Sequence, residues 1–218
     1  SEDGFPNPED ANQPVTAITV SCNGRYFVFG VGVYNNTRSN VSYVDCRGEK
    51  RLLDVFLSFW EKLDADIITG WNVDGFDIPY LINRISKIIH PKEAKRLSPA
   101  RWIKEREFKG KFGRITKEYT LVGLTVLDYL QLYKKFTYTQ QESYRLDHIA
   151  TVELGEKKLD YSEVETLHQL YKTDYQKFID YNIKDVELVN KLEDKMRLIE
   201  QAMTIAYDAK VNLNDVFT

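Results

Sequence analysis

The sequence has few of the residues that build covalent cross-links or soft-metal sites. Among 218 residues there are only 2 cysteines and 3 histidines. Cys22 and Cys46 do not have the spacing of a zinc-binding pair, and His90, His148 and His168 lie far apart along the chain. We therefore expect free thiols in a reducing compartment and no histidine-based zinc site.

Long apolar runs are also absent. No stretch approaches the roughly 20 consecutive apolar residues that a membrane-spanning helix needs. The first 13 residues are polar and acidic, which is unlike a signal peptide. The composition, 43% hydrophobic and 13% aromatic, suits one globular domain over residues 1–218 with no membrane partner.

An excess of positive charge is missing too, since 30 Lys and Arg residues stand against 33 Asp and Glu residues and give a net charge of −3. This balance does not exclude nucleic acid, because carboxylates that hold metal ions are acidic by design and the bound ions invert the local charge. The basic residues concentrate between Lys87 and Lys117. That stretch is either a solvated face or a rim that contacts phosphates.

Hydrophobic patterns predict strands that come first and helices that follow. The expected strands are 17–20, 26–33, 41–44, 66–69 and 119–127, with a hairpin turn at Asn23-Gly24. The expected helices are 54–63, 78–89, 128–135, 145–154 and 163–171, followed by a long helix that starts at a capping box of Thr173 and Gln176 and extends to about residue 206. The basic stretch predicts a projecting loop or hairpin. This order indicates an α/β or α+β domain with a mixed sheet.

The first feature that could carry chemistry is the segment 69–80, TGWNVDGFDIPY. A buried strand ends at Gly70, and a short loop delivers Asp77 to the start of a helix. Asp77 can be explained as an N-cap, with Pro79 in the first helical turn. That explanation leaves Trp71, Asn72 and Phe76 unaccounted for.

The second feature is the segment 181–185, YNIKD. Tyr181 and Asp185 are four residues apart and so lie one turn apart on one helical face, which they share with Phe178 and Val189. A carboxylate that points toward an apolar core is costly unless it is paired or bound to a metal. The alternative is a surface aspartate at the edge of the face, with Tyr181 as an ordinary core residue.

Together the two features resemble the second and third motifs of the DEDDy exonucleases. The fuller strings resemble the proofreading domain of B-family DNA polymerases, most of all those of T-even-like bacteriophages. These strings are 5–8 (FPNP), 17–19 (AIT), 68–72 (ITGWN), 75–80 (GFDIPY), 96–99 (RLSP), 127–130 (LDYL), 132–135 (LYKK) and 181–187 (YNIKDVE). The resemblance covers essentially the whole chain and implies a ribonuclease H-like mixed sheet flanked by helices.

The resemblance implies a 3′→5′ exonuclease with two divalent ions, Mg²⁺ or Mn²⁺. Such ions prefer oxygen ligands, and a pair of them can activate a water and stabilise the leaving 3′ oxygen. By the family pattern Asp77 and Asp185 bind metal, and the Tyr181 hydroxyl orients the attacking water. Asn72 and Phe76 place the terminal nucleotide.

Two further roles follow from the resemblance. Lys158 stands where the phage branch carries a lysine near the scissile phosphate, although a plain surface lysine is the commoner case. Phe5 is expected to contact the single strand near its end, with packing of a loop as the alternative.

The sequence departs from the family in one respect. The first motif, D-x-E on the first strand of the sheet, is absent. Glu2 and Asp3 are adjacent, so on a strand they would face opposite ways, and Glu9-Asp10 has the same fault. We therefore expect a fragment of a longer polymerase that by itself hydrolyses little or no DNA.

The expected partners are the 3′ end of single-stranded DNA, the polymerase domain of the same parent chain and, through that parent, a sliding clamp. The expected setting is a viral protein acting in the host cytoplasm. Two alternatives remain open: a stand-alone DEDDy exonuclease, and a non-catalytic nucleic-acid-binding domain with the same fold.

Overall fold

The computed structural model describes residues 6–109, 115–156 and 167–217. The chain divides into two compact units. In the described residues the first unit comprises 14–56 and 141–196, and the second comprises 6–13, 57–140 and 197–217.

The first unit begins with a three-stranded sheet. Strands β1 (Ala17–Cys22) and β2 (Arg25–Gly30) are antiparallel, and β3 (Val41–Asp45) pairs with β2 in parallel. Asn23 and Gly24 join β1 to β2 with φ of 50° and 74°, the left-handed values that a two-residue hairpin turn requires. The turn and the strands predicted over 17–20 and 41–44 are confirmed, the strand predicted over 26–33 ends early at Gly30, and the sheet is mixed as expected.

Helices from the end of the chain complete this unit. They are α5 (Leu146–Leu154), α6 (Leu167–Thr173) and α7 (Tyr175–Met196). Buried residues of α7 pack with the sheet in one core that comprises Tyr26, Val28, Tyr34, Val41, Ile179 and Ile183. This core fixes which face of α7 is turned away from solvent.

The second unit contains a pair of parallel strands, β4 (Ile67–Gly70) and β7 (Thr125–Asp128). Strands β5 (Ile103–Lys109) and β6 (Ile115–Leu121) form an antiparallel hairpin. The hairpin predicted for the basic stretch is therefore confirmed, and its residues 110–114 lie outside the described part of the chain.

The helices of the second unit follow its strands. They are α2 (Ile78–Ile88), the short α3 (Pro91–Ala94), α4 (Tyr129–Phe136) and α8 (Leu198–Ala209), with 3₁₀ turns at Lys95–Leu97 and Leu213–Phe217. The predicted helices over 78–89, 128–135 and 145–154 are confirmed within two residues.

Four predictions about local structure were wrong. The helix expected over 54–63 starts five residues earlier, as α1 (Glu49–Leu63). The strand expected over 119–127 is two strands, because Gly123 with φ of 89° turns the chain between β6 and β7. Thr173 does not cap α7: the Asp174 carboxylate accepts from the Lys177 N–H at 2.9 Å instead.

The fourth error concerns the length of the final helix. Helix α7 ends at Met196 rather than near residue 206, because Arg197 is left-handed with φ of 54° and a new helix, α8, begins after it. The helix predicted over 163–171 is described only from Leu167 onward.

Cys22 and Cys46 are free thiols, as expected. In the described residues no helix has the length and apolar character needed to cross a membrane.

Candidate active site

Strands β4 and β7 run in parallel and end side by side, with Gly70 opposite Asp128. In parallel sheets, ligands bind beyond the carboxyl ends of the strands. Beyond Gly70 the chain enters a segment that we call the β4 loop, residues 71–77. It comprises Trp71, Asn72 and a π-helical turn, Val73–Asp77, that leads directly into α2.

Asp77 does not act as the N-cap of α2. Its backbone is already helical, with φ of −65° and ψ of −47°, and its side chain accepts no capping hydrogen bond. Pro79 does lie in the first turn, as predicted. Asp77 is an exposed residue that follows the carboxyl end of β4, and the explanation of this aspartate as an N-cap is wrong.

Asn72 adopts the left-handed conformation, with φ of 60° and ψ of 30°. Asparagine tolerates this region better than most residues. A Cβ at Gly75 would lie 2.5 Å from the Asn72 Oδ1 atom, so glycine is what allows the side chain to occupy its position. The β4 loop therefore has a defined conformation that depends on these two residue types.

Aromatic contacts hold both ends of the β4 loop. The Trp71 ring lies 6.4 Å from the Tyr129 ring and 6.1 Å from the Tyr133 ring, both of which are fully buried in α4. The Phe76 ring, which is half-buried, lies 5.4 Å from that of Tyr80. Trp71 thus anchors the start of the loop, and Phe76 keeps part of its ring accessible.

Two carboxylates that the sequence analysis did not single out lie at the same place. Asp128, the last residue of β7, is 1% exposed, and its side chain accepts from the backbone N–H groups of Asn72 and Asp74, each at 3.1 Å. Burial raises the pKa of Asp128, and its backbone hydrogen bonds act in the opposite direction. The helix predicted over 128–135 included Asp128, and nothing in the sequence indicated its bonds to the loop.

Asp74 is exposed, yet its carboxylate is partly desolvated by the protein around it. This burial, together with the negative charges of Asp128 and Glu118, raises the pKa of Asp74 to about 7. Asp74 therefore changes its charge near neutral pH.

In the first unit, Tyr181 and Asp185 lie one turn apart on α7, as predicted. Tyr181 is buried, and the Lys177 Nζ atom lies 5.9 Å from the centre of its ring. The Asp185 residue is exposed, as expected of a surface aspartate at the edge of the face. Partial desolvation of the carboxylate and the negative charge of Asp147 nevertheless raise the pKa of Asp185 to about 6.

The structure thus places Asn72, Phe76 and Asp77 together in the β4 loop and Tyr181 with Asp185 on α7. Phe5 and Lys158 lie outside the described residues. Within the described part of the chain, no group of three or more His, Cys, Asp or Glu side chains is arranged to hold a metal ion.

Comparison with known proteins decides the family. The model of "DNA polymerase family B, exonuclease domain" matches residues 1–149. The chain belongs to this family. Its mixed α/β architecture is consistent with the ribonuclease H-like domain expected from the sequence.

Similar B-family proteins include viral and cellular polymerases. The DNA-directed DNA polymerase of Escherichia phage RB69 is 36% identical over 100% of this chain, and that of Enterobacteria phage T4 is 32% identical over 99%. The DNA polymerase delta catalytic subunit of Plasmodium falciparum is 30% identical over 94%. The chain spans 27% of the length of each phage relative and 20% of the Plasmodium one.

B-family exonuclease domains use divalent metal ions. The donor types present here fit such ions, because Asp77 and Asp185 offer carboxylate oxygens, the ligands that Mg²⁺ and Mn²⁺ prefer. Histidine and cysteine are absent from both the β4 loop and α7, which agrees with a preference for hard cations.

Proposed function

We propose that this chain is the proofreading 3′→5′ exonuclease part of a viral DNA-directed DNA polymerase. The observation that carries the proposal is the place of Asp77: this exposed residue follows the carboxyl end of β4, which pairs with β7, and its side chain does not cap α2. Membership of the B family supplies the class of reaction.

The proposed substrate is the 3′ end of single-stranded DNA, and the cofactor is a pair of Mg²⁺ or Mn²⁺ ions. When bound, such ions activate a water and neutralise the charge that develops on the phosphodiester. Asp77 and Asp185 each supply a ligand to them. The exposure of both aspartates supports this role, since a metal ligand must be reachable from solvent.

The other residues position the reacting groups. The Tyr181 hydroxyl orients the water, and the burial of the tyrosine supports a fixed position for its ring. Asn72 holds the terminal nucleotide through its amide, and Phe76 packs against it. Lys158 contacts the scissile phosphate, and Phe5 contacts the strand near its end.

The proposed partners of the parent chain are its own polymerase domain and a sliding clamp. The phage relatives are viral proteins, and we place this activity in the cytoplasm of the infected host. The stretch between Lys87 and Lys117 then contributes positive charge toward DNA phosphates.

Mn²⁺ binding by the purified chain tests the metal ligands without requiring turnover. Titration calorimetry should show that Asp77→Asn and Asp185→Asn each weaken Mn²⁺ binding at least tenfold. Asp174→Asn is the matched control, because this aspartate caps α7 and is not proposed to bind metal. Equal Mn²⁺ affinity in all three variants would refute the assignment.

The reaction itself is tested in the full-length polypeptide that carries this sequence. Hydrolysis of a 5′-labelled single-stranded oligonucleotide should fall by about 100-fold or more in Asp77→Asn, the scale seen when one electrostatic catalytic group is removed. DNA binding with no metal-dependent hydrolysis in the wild type would favour a non-catalytic domain instead.

A further inference from the structure

Asp128 makes more hydrogen bonds than a helix cap requires. Its Oδ1 atom accepts from the N–H groups of Leu130 at 2.9 Å and Gln131 at 3.4 Å, which caps α4. The same oxygen accepts from Asn72 N–H at 3.1 Å, and Oδ2 accepts from Asp74 N–H at 3.1 Å. The carboxylate therefore serves a helix of its own strand and a loop of the neighbouring strand at once.

The bonds from Asp128 to the β4 loop are not needed to cap a helix, as the cap of α7 shows. Asp174 caps α7 by accepting from Lys177 N–H at 2.9 Å, and Asp174 is exposed. Asp128 is 1% exposed. Burial of a carboxylate costs free energy unless hydrogen bonds compensate it, and here the compensating donors are backbone amides, two of which belong to the β4 loop.

The backbone conformation of the β4 loop is one that neighbouring groups must stabilise. Asn72 is left-handed and the following five residues form a π-helical turn, Val73–Asp77. Conformations of this kind are uncommon and persist where neighbouring groups stabilise them. The Asp128 carboxylate fixes the amides of Asn72 and Asp74, which stand at the start of the loop and within its π-helical turn.

We propose that Asp128 is a positioning residue of the exonuclease site: it holds the β4 loop so that Asn72, Phe76 and Asp77 keep the arrangement that binds metal and the DNA end. This inference rests on the proposed function. Asp128 itself touches neither metal nor DNA and acts through the backbone of the loop.

The test separates the capping role from the loop role. Asp128→Ser keeps a good N-cap for α4, but its single, shorter hydroxyl cannot serve both amides of the β4 loop. Asp128→Asn keeps the oxygen that serves Asn72, Leu130 and Gln131 and replaces the one that serves Asp74. Asp174→Ser is the matched control, a cap that has no contact with the loop.

The first readout is backbone amide hydrogen exchange, which does not depend on metal or activity. In Asp128→Ser we expect exchange at Asn72 and Asp74 to accelerate at least tenfold more than at Leu130 and Gln131. In Asp128→Asn the acceleration should be confined to Asp74. In Asp174→Ser the exchange rates of the β4 loop should stay at wild-type values.

The second readout is Mn²⁺ affinity, measured by calorimetry on the same proteins. Asp128→Ser should weaken binding about tenfold, Asp128→Asn should lie between it and the wild type, and Asp174→Ser should bind as the wild type does. If Asp128 were merely a structural cap, the Mn²⁺ affinity of both serine variants would be unchanged, because serine is also a good N-cap.

Three outcomes overturn the proposal. One is an equal acceleration of hydrogen exchange at all four amides that bond Asp128 (Asn72, Asp74, Leu130 and Gln131) in the Asp128 variants. Another is wild-type Mn²⁺ affinity in Asp128→Ser while Asp77→Asn weakens binding, which would leave the proposed function intact and remove the role of Asp128. If Asp77→Asn also binds normally, the proposed function fails and the positioning role fails with it. If Asp128→Ser does not fold, the hydrogen exchange and the Mn²⁺ affinity of Asp128→Asn decide between the same outcomes.

Discussion

The Thr19 hydroxyl donates a hydrogen bond to the side-chain oxygen of Asn182 across 2.5 Å and so joins β1 to α7. Asn182 follows Tyr181 and precedes Asp185 by three residues, so this bond lies on the turn that carries both proposed site residues. It fixes the rotation of α7 against the sheet together with the core contacts of Ile179 and Ile183.

Thr19→Val should lower the free energy of unfolding by about 1 kcal/mol, because it leaves the half-buried Asn182 oxygen without this donor while keeping the shape of the side chain. Urea denaturation measures the change. Thr204→Val is the control: the Thr204 hydroxyl bonds the Glu200 carbonyl within the exposed surface of α8, and its loss should change stability by less than about 0.5 kcal/mol. Equal losses in the two variants would contradict the role of the Thr19 bond.

Gly75→Ala should move the Asn72 side chain with little loss of stability. The new Cβ would meet the Asn72 Oδ1 atom at 2.5 Å, and the end of a flexible side chain can rotate away. We expect the NMR signals of the Asn72 side-chain amide to shift and the affinity for a single-stranded 3′ end to fall severalfold. Gly24→Ala is the control: its Cβ would meet nothing within 4 Å, and the strain of an alanine at φ of 74° should lower stability but leave DNA affinity unchanged. Normal DNA affinity in a Gly75→Ala protein with shifted Asn72 signals would remove Asn72 from the binding surface.

Arg96 and Arg101 both pair with Glu61, yet their substitution should have unequal effects. The Arg96 side chain is 20% exposed and contacts Glu61 through Nε at 3.0 Å and Nη2 at 2.6 Å, with Glu93 at 3.2 Å. The Arg101 side chain is 57% exposed. Bidentate, half-buried pairs are stronger than exposed ones, and arginine stems also contribute packing.

Arg96→Ala should therefore lower stability by about 1–2 kcal/mol and Arg101→Ala by less than about 0.5 kcal/mol. Urea denaturation at low and high salt measures both, and salt should reduce the Arg101 effect further. A larger loss in Arg101→Ala than in Arg96→Ala would show that the order of exposure does not set the strength of these pairs.

Local chemistry made part of the fold predictable. The Asn23-Gly24 turn follows from two residues that accept positive φ, and the neighbouring apolar runs fix the strands on either side. The break at Gly123 had a sequence signal, the glycine, but the apolar residues around it hid the change of strand. The end of α7 had no sequence signal, because Arg197 is an ordinary helix former that adopts a left-handed conformation here.

The candidate site was predictable to the extent that it lies in contiguous sequence. The segments 69–80 and 181–185 each place their polar groups locally, so their residues could be named. The role of Asp128 could not, because its bonds to Asn72 and Asp74 join residues 56 and 54 positions apart. Only the parallel pairing of β4 with β7 brings these groups to one edge.

Asp74 should make the stability of the protein depend on pH. Its folded-state pKa is about 7, above the ordinary value for an unfolded aspartate of about 3.9. Between these values the folded state binds more protons than the unfolded state, so stability falls as pH rises from about 4 to about 7 and is flat above. The main cause is the partial burial of the Asp74 carboxylate, and the negative charges of Asp128 and Glu118 raise the pKa of Asp74 further.

Asp74→Asn removes that charge and keeps the backbone N–H that donates to Asp128. Relative to the wild type, the variant should gain on the order of 1 kcal/mol at pH 8 and little at pH 4, a figure kept small because water screens the exposed part of the side chain. Urea denaturation at both pH values measures the difference. Asp208→Asn, which changes an exposed carboxylate of α8, should show no such gain. A gain of equal size at pH 4 and pH 8 would mean that the asparagine stabilises by packing rather than by removing a partly buried charge.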